Sequence, residues 1–165
     1  MTAPGAARWA QDEAIAAWSA FVRAHAAAVR SIEEDLRRRT GMALGWYDVL
    51  LELNGAPRRR LRMHELGEAA VLSRTRVSRL VDELVALGHV CREAHPQDRR
   101  SSYAVITADG RRALRRAAPV YLDAVRRHFA GSLTAEQLRS VRAAMEAVLA
   151  PPVQEVDPPP AQLMT

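Results

Sequence analysis

Apolar positions recur at helical spacing along most of the chain, and this pattern predicts a mainly α-helical protein. The first predicted helix covers 12–40, and its seam alternates between three- and four-residue steps through Ile15, Trp18, Val22, His25, Val29, Ile32 and Leu36. A helix of about 28 residues is about 42 Å long, which exceeds what one small domain covers. We therefore predict that this helix packs against another subunit.

A second helix is predicted after a break at Thr40 and Gly41. It runs from 46 to 53, is ended by Asn54, Gly55 and Pro57, and turns inward Tyr47, Leu50, Leu51 and Leu53. A short basic strand at 58–62 and a short helix at 64–71 are expected next.

The next helix has the most distinctive polar face. Ser73 is a suitable N-cap and Gly88 a suitable C-terminal stop, while the inward stripe is Val77, Leu80, Val81, Leu84 and Leu87. At about 100° per residue, the opposite face carries Thr75, Ser78, Arg79 and Asp82, flanked by Arg74 and Arg76. Such a face suits the phosphates and base edges of a DNA major groove. An ordinary solvated surface is the alternative, and this helix alone does not decide between them.

Two short alternating segments follow and predict a β-hairpin. Residues 90–94 and 103–106 change to a two-residue period and flank the charged sequence HPQDRRSS. Asp98 stands two positions before Arg100, so its carboxylate can hold the guanidinium in a fixed direction. An arginine held in this way could enter a narrow minor groove.

Two further helices are predicted from the residues that follow. Thr107 is expected to cap a helix that turns inward Leu114, Ala118, Leu122, Val125 and Phe129, with Pro119 producing a kink rather than a stop. Leu133, Thr134 and Gln137 form a capping-box start for a last helix, whose stripe is Leu138, Val141, Met145 and Val148. The first helix and these two each carry an apolar stripe that has no partner within the chain. A homodimer interface is the simplest way to bury these stripes.

The order and spacing of these segments resemble the MarR (multiple antibiotic resistance regulator) family of bacterial transcription factors. The resemblance covers about 46–149 and is carried by LxMxEL at 61–66, LSRxxVSRLVDxL at 72–84, Gly88 with Val90, DRR at 98–100, and IT with TxxG at 106–110. It implies a winged helix-turn-helix that reads a pseudo-palindromic DNA operator as a two-fold dimer. The DNA-binding residues expected by position are Ser73, Arg74, Thr75, Arg76, Ser78, Arg79, Asp98, Arg99 and Arg100, with Arg100 in the minor groove and Asp98 as its brace.

The predicted domain order is a disordered N-terminus at 1–11, a dimerisation helix at 12–40, a winged helix-turn-helix at 43–107, dimerisation helices at 108–149 and a disordered tail at 150–165. The fold class is thus mainly α with a small β-wing, and the DNA-binding domain is inserted between dimerisation helices. Charge agrees with this division. Residues 58–116 contain fourteen Arg against seven acidic residues, whereas the whole chain carries a net charge of only +5.

Catalytic chemistry has no recognisable signature in the sequence, so we predict no enzyme activity, no cofactor and no metal site. The five His residues are scattered, and no HExxH motif, phosphate loop or GxSxG motif occurs. The single cysteine, Cys91, is more consistent with an inert strand residue than with a redox switch, although redox regulation through it is an alternative. A second alternative function is a winged helix used only for protein interaction.

Regulation by a small aromatic effector is more plausible than redox regulation. The resemblance implies it, because members of the MarR family bind such compounds between the dimerisation helices and the winged domain, and binding usually releases DNA. Candidate pocket residues are Trp18, His25, Met42, Trp46 and Tyr47, although aromatic residues at helical spacing are more often core. No apolar run is long enough for a membrane helix, and the N-terminus lacks the order of a signal peptide. We therefore predict a cytoplasmic repressor with no membrane partner.

Overall fold

The computed structural model describes residues 12–94 and 102–150. Within them the chain forms six α-helices and three β-strands: α1 (Glu13–Thr40), α2 (Leu44–Gly55), β1 (Arg60–Arg62), α3 (Met63–Ala69), α4 (Arg74–Ala86), β2 (Val90–Ala94), β3 (Ser102–Ile106), α5 (Ala108–His128) and α6 (Ala135–Leu149). Single 3₁₀ turns occur at Pro57–Arg59 and Ala130–Ser132. The mainly helical class with a small β-wing is confirmed.

Side-chain caps define several helix ends, and most were readable in the sequence. The Ser73 hydroxyl accepts from the Arg76 N–H at 3.3 Å, and the Thr107 hydroxyl accepts from the Gly110 N–H at 3.0 Å. Gly41 ends α1 with φ +72, a left-handed conformation that glycine adopts without steric cost. Gly88 adopts the same conformation after α4 (φ +72). The Gly88 N–H donates to the Val85 carbonyl, and the His89 N–H donates to the Leu84 carbonyl.

The described strands form one antiparallel sheet in the order β1-β3-β2. In the hairpin, Val90 pairs with Ile106 and Ala94 pairs with Ser102, while Arg62 of β1 pairs with Tyr103 on the other edge of β3. The predicted strand at 58–62 is shorter than expected, because Arg58 and Arg59 adopt left-handed φ values of 55° and 57° in the preceding 3₁₀ turn.

One hydrophobic core joins α2, α4, the sheet and the first half of α5. Its fully buried side chains include Val49, Leu50 and Leu53 from α2 and Val81 and Leu84 from α4. Tyr47 stacks on Tyr121 of α5, with ring centroids 4.3 Å apart. The predicted inward stripes of α2 and α4 therefore supply the packing between the helix-turn-helix and the rest of this unit.

Four predicted inward positions are wrong for the single chain. Leu51, within the stripe of α2, and Leu87, just after α4, are 43% and 47% exposed, and Leu122 and Phe129 of α5 are 49% and 42% exposed. The core packs against α5 as far as Tyr121, through Ala113, Leu114, Ala117, Ala118, Val120 and Tyr121. Leu122 and Phe129 are not among the side chains that contact it. Pro119 lies inside α5 without ending it, as predicted.

Helices α1 and α5 pack along each other and are joined by ionic contacts. Asp35 of α1 is buried, with His128 Nε2 2.9 Å and Arg127 Nη1 3.1 Å from its Oδ2 atom. The hydrogen bond with His128, aided by the positive charges of Arg127 and Arg38, holds the pKa of Asp35 below its usual value despite the opposing effect of burial. This carboxylate therefore fixes the C-terminal half of α1 to the end of α5.

The chain divides into two compact units, with the boundary between Gly131 and Ser132. Helices α1 to α5 and the sheet belong to the first. The second contains α6, which begins with the predicted capping box: the Gln137 N–H donates to the Thr134 hydroxyl at 3.2 Å, and the Thr134 N–H donates to Gln137 Oε1 at 2.8 Å. None of the helices in the described ranges combines the length and the hydropathy that a bilayer span requires.

Candidate nucleic-acid interface

The polar face of α4 forms a continuous exposed surface at the helix N-terminus. Ser73, Arg74, Thr75, Arg76 and Arg79 are exposed, and Ser78 is half-buried. Because Val77, Leu80, Val81 and Leu84 occupy the opposite side and are buried, α4 cannot rotate without losing the core. The predicted α4 residues therefore lie on the parts of the helix that the core leaves uncovered.

Arg79 is connected to the fold through an acidic neighbour. Glu83, one helical turn later, places its Oε1 atom 3.7 Å from Arg79 Nε. The other oxygen of the same carboxylate, Oε2, accepts a hydrogen bond of 2.7 Å from the indole Nε1 of Trp46 on α2. Glu83 was not among the residues predicted from the sequence. Its four-residue spacing from Arg79 was a usable signal, but its contact with Trp46, 37 positions away, left none.

Arg92 links the β-hairpin to α4. This β2 residue donates through Nη2 to Asp82 Oδ1 at 2.7 Å and through Nη1 to the hydroxyl of Ser102 at 3.4 Å. One guanidinium therefore ties both hairpin strands to the exposed face of the helix. The role of Asp82 was not predicted, because nothing local to α4 shows which residue of β2 it meets.

A groove of about 820 Å³ separates α3, α4 and the hairpin. Its lining includes His64 and Glu68 from α3, Arg74 and Ser78 from α4, and Arg92 from β2. Hydroxyl and guanidinium groups along such an open groove provide donors for phosphate oxygens.

The base of the hairpin is locked to the start of α5. The Thr107 hydroxyl donates to the Gly88 carbonyl at 2.7 Å, and the Thr107 N–H donates to the His89 carbonyl at 3.0 Å. Gly110 approaches that carbonyl so closely that a Cβ atom built on it would lie 2.1 Å from the oxygen. The turn that ends α4, the hairpin and α5 therefore share one junction, which explains why a TxxG sequence occurs there.

Behind α4 lies a half-buried carboxyl group, Asp48 of α2. Burial and the neighbouring Glu52 raise the pKa of Asp48 to about 6, and the positive charge of Arg76 acts in the opposite direction. The charge of Asp48 therefore changes near pH 6, within the electrostatic influence of an arginine of α4.

Three predicted wing residues, Asp98, Arg99 and Arg100, lie outside the described residues. The last described pair of the hairpin, Ala94 and Ser102, brackets the segment that contains them. Their assignment therefore rests on the sequence.

The five predicted effector-pocket residues are not gathered in one place. Met42 and Tyr47 are buried in the core, and Trp46 packs against it, whereas Trp18 and His25 are exposed on the N-terminal half of α1. A smaller pocket of about 350 Å³ lies where α1, α2 and α4 meet, and its lining includes Trp46, Arg37, Arg76, Arg79 and Glu83. Of the five predicted residues, Trp46 alone lines this pocket.

Cys91, the alternative redox residue, is exposed on β2. Its neighbour Arg92 is engaged with Asp82 and Ser102. Across the described ranges, no cluster of three or more His, Cys, Asp or Glu side chains has the arrangement of a metal site.

Comparison with known proteins gives a consistent result. A sequence model of the MarR family matches residues 40–101. Sco3205, a MarR family transcriptional regulator from Streptomyces coelicolor solved in complex with DNA, is 37% identical; the match covers 82% of this chain and 90% of that one, with a TM-score of 0.75. AbsC, a MarR family transcriptional regulator from the same organism, is 28% identical over 81% of this chain and 89% of its own, with a TM-score of 0.73.

A cysteine-to-serine mutant of MarR from E. coli, complexed with operator DNA, has a TM-score of 0.74 over 84% of this chain and 96% of its own. At 20% identity it shows the shared fold alone. No match was found among curated proteins.

Proposed function

Because the chain belongs to the MarR family of transcriptional regulators, which are not enzymes, we propose that it is a homodimeric repressor that binds a specific pseudo-palindromic site in double-stranded DNA. The observation that carries the proposal is the exposed face of α4, where arginines and hydroxyls are presented together over a buried apolar stripe.

In this proposal the N-terminal half of α4 enters the major groove. Ser73, Arg74, Thr75, Arg76 and Ser78 contact phosphates or base edges, and Arg79 reads a base. Arginine suits that task because its planar guanidinium can donate two parallel hydrogen bonds to the O6 and N7 atoms of guanine. The α4 N-terminus adds a favourable field for phosphate.

The wing is assigned to the neighbouring minor groove, with Arg100 inserted, Asp98 as its brace and Arg99 beside it. Support comes from the strands that carry this segment: both are fixed to α4 through Arg92. A wing attached to the recognition helix can approach the duplex in register with it.

The dimer is supported by apolar side chains that the single chain leaves exposed. In the N-terminal half of α1, Ile15 is 40%, Trp18 64%, Phe21 43% and Val22 42% exposed, and Leu122 and Phe129 are exposed on α5. Exposed apolar side chains grouped on one helix, as on α1, are typical of a protein interface. We include α6 in the interface because it also exposes Val141, Val148 and Leu149.

Release by a small molecule is the regulatory part of the proposal. BpsR of Bordetella bronchiseptica, a structural neighbour at 17% identity with a TM-score of 0.72, has its DNA binding regulated by 6-hydroxynicotinic acid. In this chain the 350 Å³ pocket combines an indole ring with the guanidinium groups of Arg37, Arg76 and Arg79. An aromatic acid could stack on Trp46 and pair with Arg76 and Arg79, which otherwise face DNA in this proposal. Such a repressor would act in the cytoplasm.

Footprinting of the DNA beside the gene tests the proposal directly. We expect a protected two-fold site whose half-sites are centred about one helical turn apart. The apparent affinity should fall steeply with salt, because phosphate contacts release counterions. A flat salt response, or no protected site together with capture of a protein partner, would favour a winged helix used only for protein interaction.

Analytical ultracentrifugation tests the dimer separately. Replacing Trp18, the most exposed aromatic side chain of α1, by Ser should weaken dimerisation while leaving the core unchanged. A variant that dimerises with unchanged affinity would remove this part of α1 from the interface.

A further inference from the structure

We propose that Glu83 and Trp46 are positioning residues for Arg79: the Glu83 carboxylate orients the guanidinium, and Trp46 anchors the carboxylate. This inference rests on the proposed function, in which Arg79 reads a base edge. It assigns a role in DNA recognition to Trp46, a residue of α2 outside the recognition helix.

The two oxygens of Glu83 have different partners. Oε1 lies 3.7 Å from Arg79 Nε, and Oε2 accepts the 2.7 Å hydrogen bond from Trp46 Nε1. The side chains of Arg79 and Glu83 are 71% and 40% exposed. An ion pair this exposed is weak when both side chains move freely, because ordering two long side chains costs entropy. The Trp46 bond changes this balance by fixing one of the two.

Trp46 is a suitable anchor because its backbone and ring are held by the fold. It packs against the hydrophobic core, and its indole has only two rotatable side-chain bonds. The adjacent Gly45 lies so close to α4 that a Cβ built on it would be 3.2 Å from Leu80 Cδ1. The tight packing of α2 against α4 thus fixes the distance between the indole and Glu83.

The contact with Glu83 uses the Nε side of the guanidinium. The Nη1 and Nη2 amino groups are at the far end of the group, so an Arg79 held in this way can direct them toward two acceptors on a base. Pre-orientation reduces the entropy lost on binding and restricts the directions in which donors can be satisfied. Glu83 also places a negative charge near phosphate, which opposes binding that is independent of sequence.

Two conservative variants of the dimeric protein separate these effects. Glu83→Gln retains an acceptor for Trp46 but removes the charge that pairs with Arg79, and Trp46→Phe retains the ring but removes the indole donor. Affinities are measured for a duplex selected from a random library and for a scrambled duplex of equal length. We expect the affinity for the selected duplex, divided by the affinity for the scrambled duplex, to fall about threefold or more in both variants. Glu83→Gln should also strengthen binding to the scrambled duplex.

The matched control is Glu146→Gln on α6. Glu146 and Arg142 form an i,i+4 pair with the same atoms and the same 3.7 Å separation, and both are well exposed. This variant makes the same change in net charge without touching α4, so the affinity ratio should not change when it is measured at a protein concentration where the control is dimeric. An equal fall in the control would show that net charge alone causes the effect and would overturn the proposal.

The Arg79→Ala background distinguishes failure of this inference from failure of the proposed function. If Arg79→Ala leaves the affinity ratio unchanged, Arg79 does not read a base. If it lowers the ratio while Glu83→Gln and Trp46→Phe do not, base reading stands and the positioning role is wrong. If positioning is right, neither variant lowers the ratio further once Arg79 is replaced.

Nuclear spin relaxation of the Arg79 Nε–H group, measured without DNA, gives an independent readout. Both Glu83→Gln and Trp46→Phe should lower its order parameter, because the side chain loses its anchored partner. An order parameter that stays the same in both variants would contradict the proposal even if DNA affinity changed.

Discussion

The junction between the hairpin and α5 allows a graded test of packing through glycine replacement. At Gly110 an added methyl group would lie 2.1 Å from the His89 carbonyl oxygen, 2.9 Å from Ile106 Cγ1 and 3.0 Å from the His89 carbonyl carbon. Ordinary van der Waals contact is 3.4–4 Å, so backbone must separate by more than an ångström. Gly110→Ala therefore displaces either the turn after α4 or the first turn of α5.

The expected change in the free energy of unfolding combines two costs and one gain. Overpacking a well-filled site costs about 1–3 kcal/mol, and the upper end applies here because the nearest atoms are backbone. Loss of the Thr107 N–H bond to the His89 carbonyl adds about 1 kcal/mol. Alanine regains up to about 1 kcal/mol of helix propensity over glycine. The net loss in the free energy of unfolding is about 2–3 kcal/mol.

Urea unfolding followed by circular dichroism, at one fixed protein concentration, measures this loss. With a slope of about 2 kcal/mol per molar urea, the midpoint of Gly110→Ala should fall by about 1 M or more. Gly55→Ala is the matched control, because nothing lies within 4 Å of its added Cβ. Gly45→Ala should lie between the two, since its nearest neighbour is the flexible Leu80 side chain at 3.2 Å. Equal midpoints for Gly110→Ala and Gly55→Ala would refute the steric argument.

Val71, which is 90% exposed, adopts a left-handed conformation (φ 53°) that is unfavourable for a β-branched residue, so Val71→Asn should stabilise the fold by about 1 kcal/mol in the same urea assay. Burial raises the pKa of Asp48 from 3.8 to about 6; the folded state then binds more protons than the unfolded one, and stability is lost as pH rises through this window. Asp48→Asn should therefore stabilise the protein at pH 7.5 and have little effect near pH 4, and an equal effect at both would contradict this assignment. Asp82→Asn removes the contact between α4 and Arg92, both partners being partly exposed; we expect less than about 1 kcal/mol of destabilisation but faster hydrogen exchange in β2 and β3, and unchanged exchange would show that the ion pair does not hold the hairpin.

Helix ends and the hairpin were largely predictable from sequence because their causes are local. Thr134 and Gln137 satisfy each other's backbone donors within one turn, and Gly88 allows the left-handed residue that ends α4. The alternation at 90–94 and 103–106 gave the strands, to within one residue. The strand predicted at 58–62 was longer than the observed β1, because two consecutive left-handed arginines leave no distinctive signal in the sequence.

Burial at the ends of the helical stripes was less predictable. Leu87 and Leu122 continue their helical stripes in sequence, yet both are exposed in the single chain. Periodicity shows which side of a helix is apolar but not how far along the helix a partner extends. The apolar stripe in the N-terminal half of α1 is exposed for the same reason. Its pattern predicts a partner that the single chain does not supply.

The order of the helices and strands, the caps at Ser73, Thr107 and Thr134, and the family to which the chain belongs could all be read from the amino-acid sequence. These features depend on residues within a few positions of one another, where backbone sterics and hydrogen bonding act directly. Three contacts were visible only in the folded chain: Trp46 donates to Glu83, Arg92 donates to Asp82, and Gly110 lies against the His89 carbonyl. Those contacts depend on how α2, the hairpin and α5 pack against α4, since spacing along the chain does not specify which side chains meet once distant elements share a core.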